Sequence, residues 1–215
     1  REMRKGRGKR VGSMIVSDGR IQRGGGLAAV FFVVATLLTA CGGGASNDTF
    51  DLRAAVSADG PSARNRQILV PEPSALKALD SEQILVRVGG AEVQYLSKSQ
   101  WSDKLPRMVQ AKLVQAFENT GKLGGVGKPG EGLAIDYQIV TEIRAFEIDT
   151  VSRRAKVEIS VKILNDKNGE VRTQKVFAAA SPVSSGATNP AFIKALDAAF
   201  TAVAAEIVDW TLRSI

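Results

Sequence analysis

The sequence predicts an α+β fold, a mostly antiparallel sheet with two helices packed on one face, forming a single domain behind a lipidated N-terminal tether. Three observations lead there. Residues 135–144 and 156–163 alternate apolar and polar side chains with a period of two, as half-buried strands do. Leu196, Phe200, Val203, Ile207 and Trp210 recur at spacings of four and three, the stripe of a core-facing helix. A short apolar run ends at the only cysteine of the chain, Cys41, and is followed by Gly42-Gly43-Gly44.

The N-terminal segment is read first because it explains the charge. The 215-residue chain carries a formal net charge of +7, which by itself suggests an anionic partner. Eight of the cations (Arg1, Arg4, Lys5, Arg7, Lys9, Arg10, Arg20, Arg23) lie before Cys41, against Glu2 and Asp18. The remainder holds 21 basic and 20 acidic side chains and is nearly neutral, so nucleic acid is not an expected partner. Residues 27–38 (LAAVFFVVATLL) are uncharged and number twelve, too few to span a bilayer core, which takes about 20. With Arg20 and Arg23 upstream, the run has the form of a signal-peptide apolar region. Leu38-Thr39-Ala40-Cys41 resembles the bacterial lipobox, in which the cysteine is acylated and becomes the new N-terminus. A buried helix ending in an incidental cysteine accounts for the length alone, and leaves the flank, the small residues and the glycine tether unexplained. The expected organisation is residues 1–40 as a removed signal peptide, 41–49 as lipidated tether and 50–215 as the domain, with Met14 a plausible initiator. Two or more acyl chains anchor a protein stably where one does not. Gly42, in place of Asp, points to the outer membrane by the sorting rule of some Gram-negative lipoproteins.

Within the domain, Phe50-Asp51-Leu52 reads as a brief extended piece, residues 61–66 as a polar loop, and residues 67–70 (QILV) as a strand stopped by Pro71 and Pro73. Residues 75–79 read as a turn of helix. Ile84, Val86 and Val88, then Gly89-Gly90, then residues 93–96 form a hairpin pattern. Ser102 is the expected cap of a helix whose face is Leu105, Val109, Leu113, Ala116 and Phe117, with Gly121 as its stop. Residues 124–132 (GGVGKPGEG) read as a loop; no Gly-Lys-Ser/Thr follows, so a phosphate cradle is not indicated. Two long strands follow, then a turn at Asp166-Lys167-Asn168-Gly169, a returning strand over 171–179, and a last helix opened by Asn189 as cap and Pro190.

Catalytic chemistry is poorly provided for. The chain has no histidine, which removes the commonest general base and metal ligand. One cysteine allows no intramolecular disulfide and no all-cysteine metal site. Asp136, Glu142, Glu147 and Asp149 invite a paired-carboxylate reading, yet solvated cross-strand ion pairs and strand-end charges account for them. Ser184-Ser185-Gly186 lacks the Gly-x-Ser-x-Gly form. Trp101 and Trp210 could line a groove, yet each begins or ends a helix stripe, a place that belongs more often to a core. No enzyme activity, metal or cofactor is expected.

Several stretches resemble the ABC-type transport auxiliary lipoprotein family, which accompanies Mce-domain phospholipid transport systems. They are Phe50-Asp51-Leu52, Ile68-Leu69-Val70-Pro71, Leu79-Asp80-Ser81-Glu82-Gln83-Ile84, Val93-Gln94-Tyr95 and Trp101-Ser102-Asp103-Lys104-Leu105-Pro106, with Tyr137, Phe146-Glu147, the 166–169 turn and a final helix ending in Trp210. Phe50 stands where the family more often has Tyr. The resemblance implies a cell-envelope lipoprotein facing the periplasm, with an Mce-domain substrate-binding protein, a permease and an ATPase as partners. It carries over no catalytic residue. Edge strands and exposed aromatics are interaction-prone, which makes Gln94, Tyr95 and Trp101 the expected partner contacts and leaves a homo-oligomer open. An assembly or scaffold lipoprotein of another envelope machine, for lipopolysaccharide insertion or secretion, is the competing reading.

Overall fold

A computed structural model describes residues 47–53 and 60–215; the expected signal segment, Cys41 and the tether through residue 46 lie outside them. The described elements are β1 (Asp48–Phe50), β2 (Ala63–Leu69), β3 (Ser74–Ala75), β4 (Gln83–Gly89), β5 (Glu92–Trp101), α1 (Leu105–Asn119), β6 (Leu123–Gly127), β7 (Tyr137–Asp149), β8 (Arg154–Asn165), β9 (Val171–Pro182) and α2 (Asn189–Ser214). The fold is α+β, as expected.

Strand β7 is the spine of the sheet. On one side it pairs antiparallel with β8, which pairs antiparallel with β9. On the other side three parallel strands lie end to end along it: β2 at Tyr137 and Gln138, β3 at Glu142 and Ile143, and β4 from Glu147 to Asp149. Beyond them β6 pairs parallel with β2, β5 antiparallel with β4, and β1 parallel with β5. The antiparallel ladders hold most of the paired residues. Ile139, Thr141 and Ile143 face the helices; a bulge between Ile143 and Ala145 shifts the phase so that Phe146 and Ile148 do so next.

Both helices bury their expected stripes except at Trp210, which is half-buried against Phe177. Helix α2 lies over β7, β8 and β9, and α1 packs beside it. Leu196, Phe200, Val203 and Ile207 are each at most 1% exposed, as are Leu105, Val109, Leu113, Ala116 and Phe117 of α1. Each large apolar side chain so buried stabilises the fold by roughly 1.5–3 kcal/mol relative to exposure. Gln110 of α1 donates its amide to the Val70 carbonyl at 2.9 Å, fixing the helix to the end of β2.

The structure corrects several local expectations. Asp48 and Thr49, expected in the tether, already belong to β1. Part of the 61–66 loop is strand, because β2 starts at Ala63. Residues 75–79 form a strand bridge and a turn in which Leu79 and Asp80 donate to the Leu76 carbonyl. Ser102 does not cap α1: its N–H donates to the Phe50 carbonyl and its hydroxyl faces the Met108 sulfur, so the helix starts after Lys104. Thr188 holds the cap position of α2, and Asn189 is spent on a tertiary contact. The glycine-rich 124–132 segment is a loop only after Gly127. A Cβ on Gly124 would sit 2.4 Å from the Arg64 carbonyl oxygen, so the missing side chain is what lets β6 approach β2.

Candidate docking surface

The surface is built on β5. Leu85 pairs with Tyr95 and Gln83 with Gln100, so Ile84 alone is opposed by Leu96, Ser97, Lys98 and Ser99. This bulge puts Lys98 at φ 56°, a left-handed backbone that costs a non-glycine residue roughly 1–3 kcal/mol. Asn189 holds it there. Its side-chain amide donates to the Ser97 carbonyl at 2.9 Å and to the buried Ser99 hydroxyl at 2.8 Å. A groove of about 420 Å³ opens beside the bulge, lined by Asn47, Glu82, Gln83, Tyr95 and residues 96–100.

The bulge also reverses which side of the sheet each β5 residue faces. Val93 and Tyr95 stand on the face away from the helices, 40% and 43% exposed. Trp101, an even number of residues on, points into the core at 1% exposure, edge-on to Phe146 with ring centroids 5.7 Å apart. The expectation that Trp101 meets a partner is therefore corrected: an uninterrupted alternation would have kept it beside Tyr95. Gln94 is exposed on the opposite side of the strand and donates to Glu92 at 3.0 Å. β1 pairs only with residues 99–101, so among the described residues the outer edge of 92–95 has no strand beside it. Such an edge accepts another strand.

Next to Tyr95 on that face is a set of closed ion pairs. Arg87 grips Glu147 with two hydrogen bonds, at 2.7 and 2.8 Å. Lys156 donates to Asp149, which also accepts from the Ser152 N–H at 2.9 Å. Glu147 and Asp149, which read in the sequence as ordinary strand-end charges, are 5% and 7% exposed. The hydrogen bond from Lys156, then that from Ser152, holds the Asp149 carboxyl well below the usual carboxylate range. The depressed value means that this stabilisation is complete above pH ~4, where an unfolded aspartate is ionised, and is lost as the pH falls further. The expected result is a thermal midpoint that drops on acidification below pH ~4, with a shallower drop in Asp149→Asn. Parallel curves for the two proteins would show that the pair contributes nothing.

The four carboxylates do not meet. Asp136 accepts from the Gln67 N–H and lies 3.8 Å from both Arg66 and Lys167, while Glu142 pairs with Arg144 of its own strand at 3.1 Å. Each of the four is partnered by a cation. Among the described residues there is no group of three or more His, Cys, Asp or Glu placed to hold a metal ion, and no helix long and apolar enough to cross a membrane.

A family model described as the ABC-type transport auxiliary lipoprotein component matches residues 50–208. The chain belongs to this family. The match runs from the last residue of β1 through most of α2 and so includes all of β5. Among solved structures, the protein XCC0632 of Xanthomonas campestris is 29% identical, with a TM-score of 0.72 over 78% of this chain and 95% of that one. A second, uncharacterised protein shares the fold at 12% identity and a TM-score of 0.61, over 77% of this chain and 99% of that one. An uncharacterised protein of Bradyrhizobium diazoefficiens is 30% identical over 204 residues, 93% of this chain. This chain spans about half, 54%, of that relative's length. The family is described as an auxiliary lipoprotein component of ABC-type transport.

Proposed function

We propose that this family member is a non-catalytic, lipid-anchored subunit of an Mce-type phospholipid transport system. Residues 1–40 are removed as a signal peptide, Cys41 is acylated, and the domain from residue 50 faces the periplasm from the outer membrane. The reading rests on the family match to residues 50–208 together with the edge of β5 at 92–95, which no strand among the described residues covers and where Val93 and Tyr95 stand exposed next to ion-paired charges. An auxiliary subunit needs a surface for a protein partner more than a chemical centre, and each carboxylate of the β7 group is engaged by a cation.

The decisive experiment is a mild-detergent pull-down of the tagged protein from whole envelopes. Recovery of an Mce-domain protein with its permease and ATPase supports the proposal; recovery of an outer-membrane barrel without them supports the assembly-factor reading. The double variant Gln94→Glu/Tyr95→Glu is expected to lower partner recovery about tenfold while melting like the parent, since exposed central contacts dominate such interfaces. Undiminished recovery by the folded variant would remove β5 from the interface.

A further inference from the structure

From the place where the described chain begins, and from the chemistry around it, we infer that one end of the domain lies against the bilayer surface: the end carrying the β7–β8 turn. This rests on the acylation of Cys41 proposed above. Asn47 lies six residue steps after Cys41, a reach of about 20 Å when fully extended. The register places Asp48 beside Ser99, Gln100 beside Gln83 and Leu85 beside Glu147, so β1 starts about five residues short of the β7–β8 turn. At ~3.3 Å per residue that is a rise of about 15 Å, within the tether's reach. The opposite end, where Tyr137 pairs with Asn165 and β9 begins, lies about 30 Å the other way, beyond it. β1 also runs away from the β7–β8 turn, so the chain enters from that side.

The turn has the composition of a membrane-surface contact. Val151 stands at its tip, 73% exposed, and is followed by Arg153 and Arg154. Arg153 has a left-handed backbone, φ 51°, and Arg154 donates to the Ala180 carbonyl. Among the described residues neither arginine is in an ion pair, and the same holds for Lys98 on the β5 bulge. Between the turn and residues 183–187 is an apolar hollow of about 200 Å³, walled by Ile148, Val183 and Phe192. An apolar tip that dips to the acyl boundary, with guanidinium groups at the height of the lipid phosphates, is how a surface domain settles on anionic lipid.

The test uses the mature acylated protein in phosphatidylethanolamine–phosphatidylglycerol vesicles. With Cys41 acylated, Val151→Cys and Val171→Cys each supply one free thiol for an environment-sensitive fluorophore; Val171 is exposed at the far end of the sheet. The label at 151 is expected to shift to the blue and to be quenched at least twofold more than the label at 171 by lipids doxyl-labelled near the headgroup. Adding Arg153→Glu and Arg154→Glu is expected to reduce that quenching. Protein that floats with the vesicles but shows equal quenching at both sites, or none at 151, overturns the orientation alone. Protein that does not float overturns the lipid anchor and the orientation with it.

Discussion

Trp101→Ala is expected to lower the free energy of unfolding by about 3–5 kcal/mol, the usual range for emptying a tryptophan-sized core site. The indole is 1% exposed, stacks edge-on against Phe146, and Phe146 in turn lies 5.9 Å from Phe200 of α2. The cavity would therefore open where β5, β7 and α2 meet, and none of the three can close it without moving a paired strand. Urea unfolding followed by circular dichroism measures the effect. Trp101→Phe retains an aromatic ring against Phe146 and is expected to recover more than half of the loss. A loss under 1 kcal/mol for the alanine variant would mean that the indole is at the surface after all.

The second large effect is expected at Gly124→Ala. A single methyl there meets the backbone oxygens of Arg64 at 2.4 Å and Arg66 at 3.1 Å, and neither is the end of a flexible side chain. β2 must shift, which disturbs its pairs with β6 at Gln67, Ile68 and Leu69. Overpacking of this kind costs about 1–3 kcal/mol and sometimes more. Gly89→Ala is the control, since a Cβ there meets nothing within 4 Å. The two variants melting together would contradict the close approach of β2 and β6.

The parts of the fold that were legible in the sequence are those in which one physical rule acts alone. The β7 and β8 alternations, the α2 stripe and the 89–90 turn each reflect a single periodicity or a single turn chemistry. The rest depends on contacts between segments distant in the chain. β6 reads as a loop because its glycines have low strand propensity, and the reason for them is a neighbour sixty residues earlier. β3 is two residues long and exists only by pairing with β7. Ser102 and Asn189 have good capping side chains, and each is drawn into a tertiary contact instead. At the candidate surface, the exposed place of Gln94 and Tyr95 on a hairpin strand is legible in the sequence. The core reading of Trp101 holds and its partner reading does not, because nothing in Leu96-Ser97-Lys98-Ser99 announces a bulge: its left-handed residue is a lysine, where a glycine is the recognisable sign. Glu147 and Asp149 read as ordinary strand-end charges because the reach of Arg87 and Lys156 across neighbouring strands has no local signature.

The bulge in β5 separates two kinds of inheritance on one strand. Before it, residues 93–95 can drift with whatever surface they meet, since a change there opens no hole in the core. After it, Trp101 answers to Phe146 and, through it, to α2, and a lineage that alters it must alter them together. Duplicated genes could thus acquire different partners by changes confined to a few outward positions, with the helix-covered layer passed on intact.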